Sequence, residues 1–165
     1  MKIYTLILLL FTLSCGEVKP VATKLSRVKT EKKLEKDEIK LRKTQSNVFE
    51  VEVELNGALK IPCLLDTGCS AVSLPPYIVY TLIKIGTIKK EDYLPSQNYI
   101  IANGDIITNA RFILRELKIG NYVLKNVECS MSNNELAPIL LGQNVLNKFK
   151  KVTIDYKKEV LILEK

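Results

Sequence analysis

Residues 64–70, which read Leu-Leu-Asp-Thr-Gly-Cys-Ser, hold the side chains best suited to chemistry. The two leucines predict the buried end of a strand, so Asp66 lies where that strand runs into a turn. An unpaired carboxylate is costly to bury, and a fold that places one there either uses it or neutralises it. For this run alone, an Asx-turn in which Asp66 only caps its own backbone remains an alternative to catalysis.

The composition narrows the chemistry that this chain can perform. Its 165 residues are 47% hydrophobic, enough for one domain with a hydrophobic core, and they include no histidine. The lack of histidine excludes Ser-His-Asp and Cys-His nucleophilic catalysis and any histidine-ligated metal site. No Gly-x-x-x-x-Gly-Lys or Gly-x-Gly-x-x-Gly phosphate loop occurs. Acid–base chemistry would fall to carboxylates, Lys, Tyr or Cys, and we predict neither a metal nor a cofactor.

The positive charge of the chain is concentrated near its N-terminus. Residues 1–47 hold 11 Lys/Arg and 5 Asp/Glu, a net charge of +6, whereas residues 48–165 hold 14 and 13, a net charge of +1. A nucleic-acid-binding domain would carry its basic residues on the folded part. We therefore predict no nucleic-acid partner.

The first residues predict export. Lys2 is followed by an apolar run over residues 3–13 and then by Ser14-Cys15, which is typical of a secretory signal and too short to span a membrane. The cysteine resembles the lipobox of bacterial lipoproteins, which implies lipid attachment to Cys15. Simple cleavage and an uncleaved anchor are the alternatives. Residues 1–15 are thus predicted as a signal peptide of an exported bacterial lipoprotein, anchored to a membrane and facing the periplasm or the cell exterior.

Residues 16–47 are polar, mix Lys with Glu and lack a sustained apolar stripe. This composition predicts a basic tether, either a flexible stalk or a solvated helix. The alternative is a basic segment that lies on anionic lipid headgroups.

From Val48 the pattern changes to short strands and tight turns, and residues 48–165 are predicted as one all-β domain. Residues 49–55 alternate strictly between apolar residues and glutamate, and Asn56-Gly57 then predicts a hairpin turn. Residues 77–84 and 143–149 are predicted as helices, and residues 87–96 as a loop. The predicted strands cover residues 49–55, 59–65, 71–74, 99–102, 106–108, 112–119, 122–131, 138–141, 152–156 and 160–163.

The order of four motifs resembles the single-domain, retropepsin-like aspartic proteases of bacteria. The motifs are Asp66-Thr67-Gly68, Ala102-Asn103-Gly104, Ile119-Gly120-Asn121 and Leu140-Leu141-Gly142, the last followed by a helix from Gln143. The resemblance implies a retropepsin-like acid-protease barrel of short hairpins with one or two short helices. It also implies an aspartic endopeptidase that binds a peptide or protein substrate in extended conformation.

The resemblance further implies roles for individual residues. Asp66 would be catalytic, and because the chain has one Asp-Thr-Gly, the second aspartate would come from a homodimer. The hairpin tip would be a flap, formed by Asn103, Gly104 and Asp105. The active-site loop would be supported by Thr67, Gly68, Ser70, Leu140, Leu141 and Gly142. A non-catalytic peptide-binding module on the same scaffold, or a structural lipoprotein without a ligand, are the alternatives.

Three cysteines would accompany Cys15 in this protein: Cys63, Cys69 and Cys129. A bridge between Cys63 and Cys129 and free buried thiols are both compatible with the sequence.

Overall fold

Strands dominate residues 36–165, the part of the chain that the computed structural model describes. In chain order they are β1 (Lys36–Lys40), β2 (Arg42–Lys43), β3 (Phe49–Leu55), β4 (Leu59–Leu65), β5 (Val72–Leu74), β6 (Tyr93–Ile100), β7 (Ile106–Ile119), β8 (Tyr122–Met131), β9 (Leu140–Leu141), β10 (Lys151–Asp155) and β11 (Val160–Glu164). The helices are α1 (Pro76–Lys84) and α2 (Gln143–Leu146), with a 3₁₀ turn at Lys90–Asp92. The prediction of an all-β domain with one or two short helices is confirmed. No helix within these residues is long and apolar enough to cross a membrane.

The strands form two sheets. Eight strands lie in the order β2-β3-β4-β9-β5-β8-β7-β6, and an additional pairing of β3 with β7 curls this sheet back on itself. The other sheet has three strands in the order β1-β11-β10. Two parallel pairings, β4 with β9 and β5 with β8, bring together segments that are distant in the sequence. These parallel pairings hold together the strands that support the Asp66 turn.

The β3–β4 hairpin follows directly from its sequence. Val51 and Val53 are buried while Glu52 between them is exposed, as the alternation of apolar and charged residues predicts. Asn56 and Gly57 both adopt positive φ, at 50° and 65°, which an Asn-Gly pair adopts readily. The hairpin aims β4 so that its last residue, Leu65, delivers the chain to Asp66.

Both ends of the described chain contribute to one hydrophobic core. Fully or almost fully buried side chains come from the link between β1 and β2, from the central strands, from α1 and from the C-terminal strand. They include Leu41, Val51, Leu55, Leu74, Leu82, Phe112, Leu114, Leu117, Ile119, Leu141, Leu161 and Leu163.

The boundary predicted between tether and domain, at residues 47 and 48, is wrong by twelve residues. β1 begins at Lys36 and pairs with β11, and Leu41 after it is only 2% exposed. The strand is short and rich in charge, so its local pattern carries little signal, and its partner lies at the opposite end of the sequence. The predicted signal peptide, Cys15 and tether residues 16–35 lie outside the described residues.

The loop predicted at residues 87–96 is also corrected. A 3₁₀ turn occupies Lys90–Asp92, and β6 begins at Tyr93. β6 is an edge strand that contains Pro95 and an irregular register between Leu94 and Gln97. Proline and a bulge are tolerated at a sheet edge, but they remove the alternation by which a strand is recognised in a sequence. The helix predicted at residues 143–149 ends earlier, at Leu146.

Candidate active site

Asp66 is positioned by the parallel pairing of β4 with β9. Leu64 lies beside Leu140 and Leu65 beside Leu141. The backbone N–H of Asp66 donates to the carbonyl of Leu141 at 3.2 Å, so the ladder continues for one residue past the end of β4. The Leu140-Leu141-Gly142 motif is therefore adjacent to Asp66. Its fully buried residue Leu141 supports the turn from the core side.

The Asp66 side chain is half-buried and retains an unused oxygen. Its Oδ1 accepts the backbone N–H of Gly68 at 2.8 Å, which is an Asx-turn. Its Oδ2 accepts no hydrogen bond from residues 36–165. Thr67 and Gly68 are exposed, so the carboxylate lies at the protein surface. The Asx-turn and a chemical role are thus compatible, because the turn orients one oxygen and leaves the other for a reactant.

The N-terminus of α2 braces the loop that carries Asp66. The backbone N–H groups of Gln143 and Asn144 donate to the carbonyls of Cys69 and Ser70 at 2.8 and 3.0 Å. The Gln143 side-chain amide donates to the Thr67 carbonyl at 3.0 Å. Every one of these bonds satisfies a polar group of the loop, and together they hold its shape.

Gly142 lets α2 approach this closely. A Cβ on Gly142 would lie 2.4 Å from the Ala71 carbonyl oxygen, a distance that no side chain can occupy. The glycine of the Leu140-Leu141-Gly142 motif is therefore required by the packing of backbone on backbone.

Asn144 is a supporting residue to which the sequence analysis assigned no role. Its Oδ1 accepts the backbone N–H of Val72 at 3.2 Å, and its Nδ2 donates to the carbonyl of Glu128 at 2.7 Å. One side chain thereby joins α2, β5 and β8 behind the Asp66 loop. The available signal was a polar residue placed between Gly142 and the buried Val145.

The predicted flap residues form the tip of the β6–β7 hairpin. Gly104 adopts a positive φ of 89°, and Asn103 and Asp105 bind each other through Asn103 Nδ2 and Asp105 Oδ2 at 2.6 Å. The whole tip, residues 101–105, is exposed. No hydrogen bond among the described residues connects this tip to the Asp66 turn.

Tyr99 lies in β6 near the base of this hairpin and is partly buried. Burial raises the pKa of Tyr99, and the positive charge of Arg111 opposes that rise. Arg111 forms an ion pair with Glu128, in which the closest atoms are 2.7 Å apart.

The three cysteines of the described region are free thiols. Burial raises the pKa of Cys63 to about 12 and that of Cys129 well above its ordinary value. The half-buried Cys69 also has a raised pKa, chiefly because of burial, and its Sγ donates to the Ala71 carbonyl at 2.9 Å. All three remain protonated at neutral pH. Residues 36–165 contain no group of three or more Cys, Asp or Glu side chains arranged to hold a metal ion.

Comparison with solved structures identifies the class to which this fold and turn belong. A retropepsin-like aspartic protease from Rickettsia conorii superposes with a TM-score of 0.56 and is 25% identical, over 79% of this chain and 92% of that chain. Residues 51–148 match the family described as "gag-polyprotein putative aspartyl protease". This match covers more than half of the chain, and the chain belongs to that family. No curated protein sequence matches it. The predicted retropepsin-like fold is confirmed.

Proposed function

We propose that this protein is an aspartic endopeptidase whose active site forms when Asp66 of two copies face each other across a water molecule. One observation carries the proposal. Asp66 lies at the surface on a rigidly braced turn, with Oδ1 oriented by Gly68 and Oδ2 free of partners among the described residues. Family membership supports peptidase chemistry, and the braced turn supports the choice of residue.

The chemistry follows from the proximity of two carboxylates. Two carboxylates in contact with one water cannot both be ionised, so the pair shares one proton. The ionised Asp66 takes a proton from the water as the water attacks the peptide carbonyl, and the protonated Asp66 donates to the carbonyl oxygen. The tetrahedral intermediate then collapses with proton transfer to the amine. No step needs histidine, which this chain lacks.

The homodimer is part of the proposal because Asp-Thr-Gly occurs once in the sequence. A two-fold axis that passes between the two turns would place both copies of Asp66 on one water. Thr67, which is exposed beside Asp66, would then meet the partner turn. Each chain would supply one of the two carboxylates, and a single Asp66 has no second carboxylate with which to share a proton.

The substrate would be a peptide in extended conformation, which lies between the Asp66 turn and the β6–β7 hairpin. An extended peptide can add its backbone hydrogen bonds to the edge of such a hairpin. The exposed tip at residues 101–105 would close over it, with Gly104 allowing the backbone to change direction.

The location is a further part of the proposal. The apolar run at residues 3–13 and Cys15 support export and lipid attachment, with the domain facing the periplasm or the cell exterior. Because strands begin at Lys36, the tether would be residues 16–35. Twenty residues reach at most about 70 Å when fully extended, which keeps the domain near its membrane.

The test replaces one carboxyl oxygen of Asp66. We expect Asp66→Asn to remove cleavage of a peptide library by about 10²–10⁴-fold or more, because the amide cannot accept the proton of the water. Its melting temperature should stay close to that of the unaltered chain, since Oδ1 remains to accept the N–H of Gly68. Glu135→Gln, at an exposed site in the loop after β8, is the matched control and should cleave normally.

Cleavage by Asp66→Asn at the unaltered rate would contradict the proposal. Unchanged peptide binding by both proteins, with no cleavage by either, would instead identify a non-catalytic peptide-binding module.

A further inference from the structure

α1 carries large apolar side chains on the side that faces solvent. Its buried side is ordinary, because Ile78, Val79 and Leu82 attach the helix to the core. The large apolar residues that remain exposed on the helix or directly after it are Tyr77, Tyr80, Ile83 and Ile85. A surface helix normally turns polar side chains to the solvent. These four residues form an unusual apolar surface, which we name the α1 patch.

Three members of the α1 patch lie on one side of the helix. Tyr77, Tyr80 and Ile83 follow one another at every third position, and residues at that spacing are neighbours on a helix surface. Thr81, a polar residue beside them, donates its hydroxyl to the Tyr77 carbonyl at 2.7 Å, so this hydroxyl is satisfied within the helix. Tyr77 and Tyr80 are 51% and 57% exposed. Exposed apolar side chains that are grouped, and not scattered singly, mark a surface of interaction.

Positive charge borders the α1 patch without acidic residues to balance it. Residues 75–90 contain no aspartate or glutamate and three exposed lysines, which are Lys84, Lys89 and Lys90. Neither Lys84 nor Lys90 forms an ion pair with any described residue. The next carboxylate along the chain, that of Glu91, lies 3.7 Å from Arg115. The border of the patch is therefore complementary to an anionic partner.

The α1 patch and its lysines together match the chemistry of an anionic membrane surface. Tyrosine rings are favoured at the level of the lipid headgroups, where one end of the ring is in apolar surroundings and the other is in water. A lysine stem can lie along apolar surface while its ammonium group reaches an anionic lipid phosphate. Tyrosine alone would also suit a protein partner, and the position of the tether favours lipid.

The start of the described chain lies near the C-terminal end of α1. The Asn56 side-chain amide donates to the carbonyl of Thr87, just past α1, at 3.0 Å, and its oxygen accepts the backbone N–H of Glu116 at 3.0 Å. Further along the same chain segment, Asn121 donates to the Asp37 carboxylate at 2.7 and 3.0 Å. The segment from Glu116 to Asn121 spans at most about 18 Å when fully extended. The point where the tether enters and the end of α1 are therefore neighbouring parts of the domain.

We propose that the α1 patch rests on an anionic membrane surface, with its tyrosine rings among the headgroups and the neighbouring lysines on lipid phosphates. This inference rests on the membrane attachment in the proposed function, because residues 16–35 hold the domain near lipid when Cys15 is anchored. A weak surface contact is then sufficient, since the anchor makes it an intramolecular event. The contact adds an orientation to the attachment, because α1 fixes which side of the domain faces the lipid.

The test uses the fact that the chain contains no tryptophan, so that Tyr80→Trp introduces a single fluorophore in the α1 patch. The full lipidated chain is reconstituted on vesicles of mixed phosphatidylglycerol and phosphatidylcholine that include a brominated lipid. We expect the tryptophan emission to shift to shorter wavelength and to be quenched by the brominated lipid. Tyr77→Trp, on the same side of α1, is a second probe. Tyr156→Trp is the matched control and should not be quenched, since Tyr156 is 70% exposed and packs on Phe49, at the opposite end of β3 from Asn56.

Removal of charge tests the role of the lysines. In the Tyr80→Trp chain, Lys84→Gln together with Lys90→Gln should lower the equilibrium constant for docking on anionic vesicles about tenfold or more, and quenching should fall accordingly. Lys157→Gln together with Lys158→Gln removes the same charge from the exposed β10–β11 turn and should leave the quenching unchanged. Vesicles of phosphatidylcholine alone should quench the emission less than the anionic vesicles do.

Equal quenching at positions 80 and 156, or none at position 80 in a chain that sediments with the vesicles, would overturn the α1 contact while the lipid attachment stands. Quenching that is insensitive to the loss of Lys84 and Lys90 would also overturn it. A shift to shorter wavelength that appears without vesicles and grows with protein concentration would identify a second copy as the occupant instead. Sedimentation of the full chain with neither kind of vesicle would contradict both the attachment and the contact. Peptide cleavage by the same chains tests the peptidase proposal separately, because none of these variants alters Asp66.

Discussion

The surroundings of a carboxylate decide whether it stabilises the fold or remains available for chemistry, and Asp66 and Asp92 illustrate the two cases. Asp92 is 9% exposed, and both its oxygens are bound, by the guanidinium of Arg115 and by the backbone N–H of Lys89. Asp66 is half-buried and accepts one backbone N–H. Asp92 therefore stabilises the fold, whereas Asp66 keeps one oxygen for a reactant.

Asp92 should make stability depend on pH. Burial alone would raise the pKa of Asp92, but the Lys89 N–H and the Arg115 guanidinium outweigh it and hold the pKa below the ordinary value of 3.8. As the pH falls, Asp92 is therefore protonated at a lower pH in the folded state than in the unfolded state. The stabilisation by ionised Asp92 is complete above the pKa of the unfolded state, about 3.8. It is lost as the pH falls from there through the lower pKa of the folded state.

We expect Asp92→Asn to lower the free energy of unfolding by about 1–3 kcal/mol at pH 7, because a charged hydrogen-bond partner of Arg115 is lost. The difference from the unaltered chain should shrink below pH 4, as followed by urea unfolding. Glu91→Gln is the control, because its carboxylate is 3.7 Å from Arg115 and largely exposed. A constant difference between pH 2 and pH 7 would contradict this assignment.

Asp66 and the Leu140-Leu141-Gly142 motif beside it could be found from the sequence, but the hydrogen bonds of Gln143 and Asn144 that brace the loop could not. The leucine pair and the Thr-Gly turn are signals from neighbouring residues, so residues 64–68 alone predict a carboxylate at the end of a strand. Gln143 reaches the Thr67 carbonyl across 76 residues, and Asn144 reaches Val72 across 72. Contacts of such separation depend on the pairing of β4 and β5 with β9, which no local pattern encodes.

At the scale of elements, β1 shows how a strand with a weak pattern is fixed in place. Asp37 accepts the backbone N–H of Asn121 at 2.7 Å and its side-chain amide at 3.0 Å. Gly120, at a φ of 55°, leaves the room that this contact needs, since a Cβ there would lie 2.2 Å from Asp37 Oδ2. The β7–β8 turn and β1 are therefore fitted to each other.

We expect Asp37→Ala to lower the free energy of unfolding by about 1–3 kcal/mol, because the backbone N–H and the side-chain amide of Asn121 both lose a charged acceptor. Hydrogen exchange should quicken most in β1 and in its partner β11. Glu38→Ala is the matched control, since Glu38 is exposed and its ion pair with Lys36 is 3.8 Å long. Equal exchange rates in the two variants would show that Asp37 does not hold β1.

Elements with local signals were predictable and edge elements were not. The β3–β4 hairpin has alternation and Asn-Gly, and α1 has Pro76 in its first turn and Gly86 after its end, so the sequence predicts both. β1 and β6 lie at sheet edges, carry charge or proline, and depend on partners elsewhere in the chain. Both strands are stabilised by pairing with another strand. A sequence window of ten residues does not contain that partner, so it cannot predict the pairing.

At the scale of the whole molecule, the order of the motifs was sufficient for the fold, because the turn of Asp66, the hairpin tip and the Leu140-Leu141-Gly142 motif constrain the same sheet. The surface through which a second copy would bind could not be read in this way, because it depends on which strands lie at the edges of the two sheets.

The proposed membrane attachment is a property of the whole molecule and can be measured directly. We expect Cys15→Ser to move the protein out of the membrane fraction and to abolish labelling by a radioactive fatty acid, because the thiol is the proposed lipid acceptor. Ser46→Ala, at an exposed turn after β2, should remain with the membrane. Fatty-acid labelling that persists in Cys15→Ser would contradict attachment at this cysteine.

The pairing of β1 with β11 also has a mechanical consequence. Residues 1–35 join the domain at Lys36, which lies opposite Glu164, the last residue of β11. A pull at Lys36 along the axis of β1 would be opposed where β11 joins the rest of the domain, at Val160, which lies opposite Lys40. The two strands would then be loaded from opposite ends, so their hydrogen bonds would share the load in shear. The attachment of the N-terminal segment to β1 is therefore in the geometry that best resists traction.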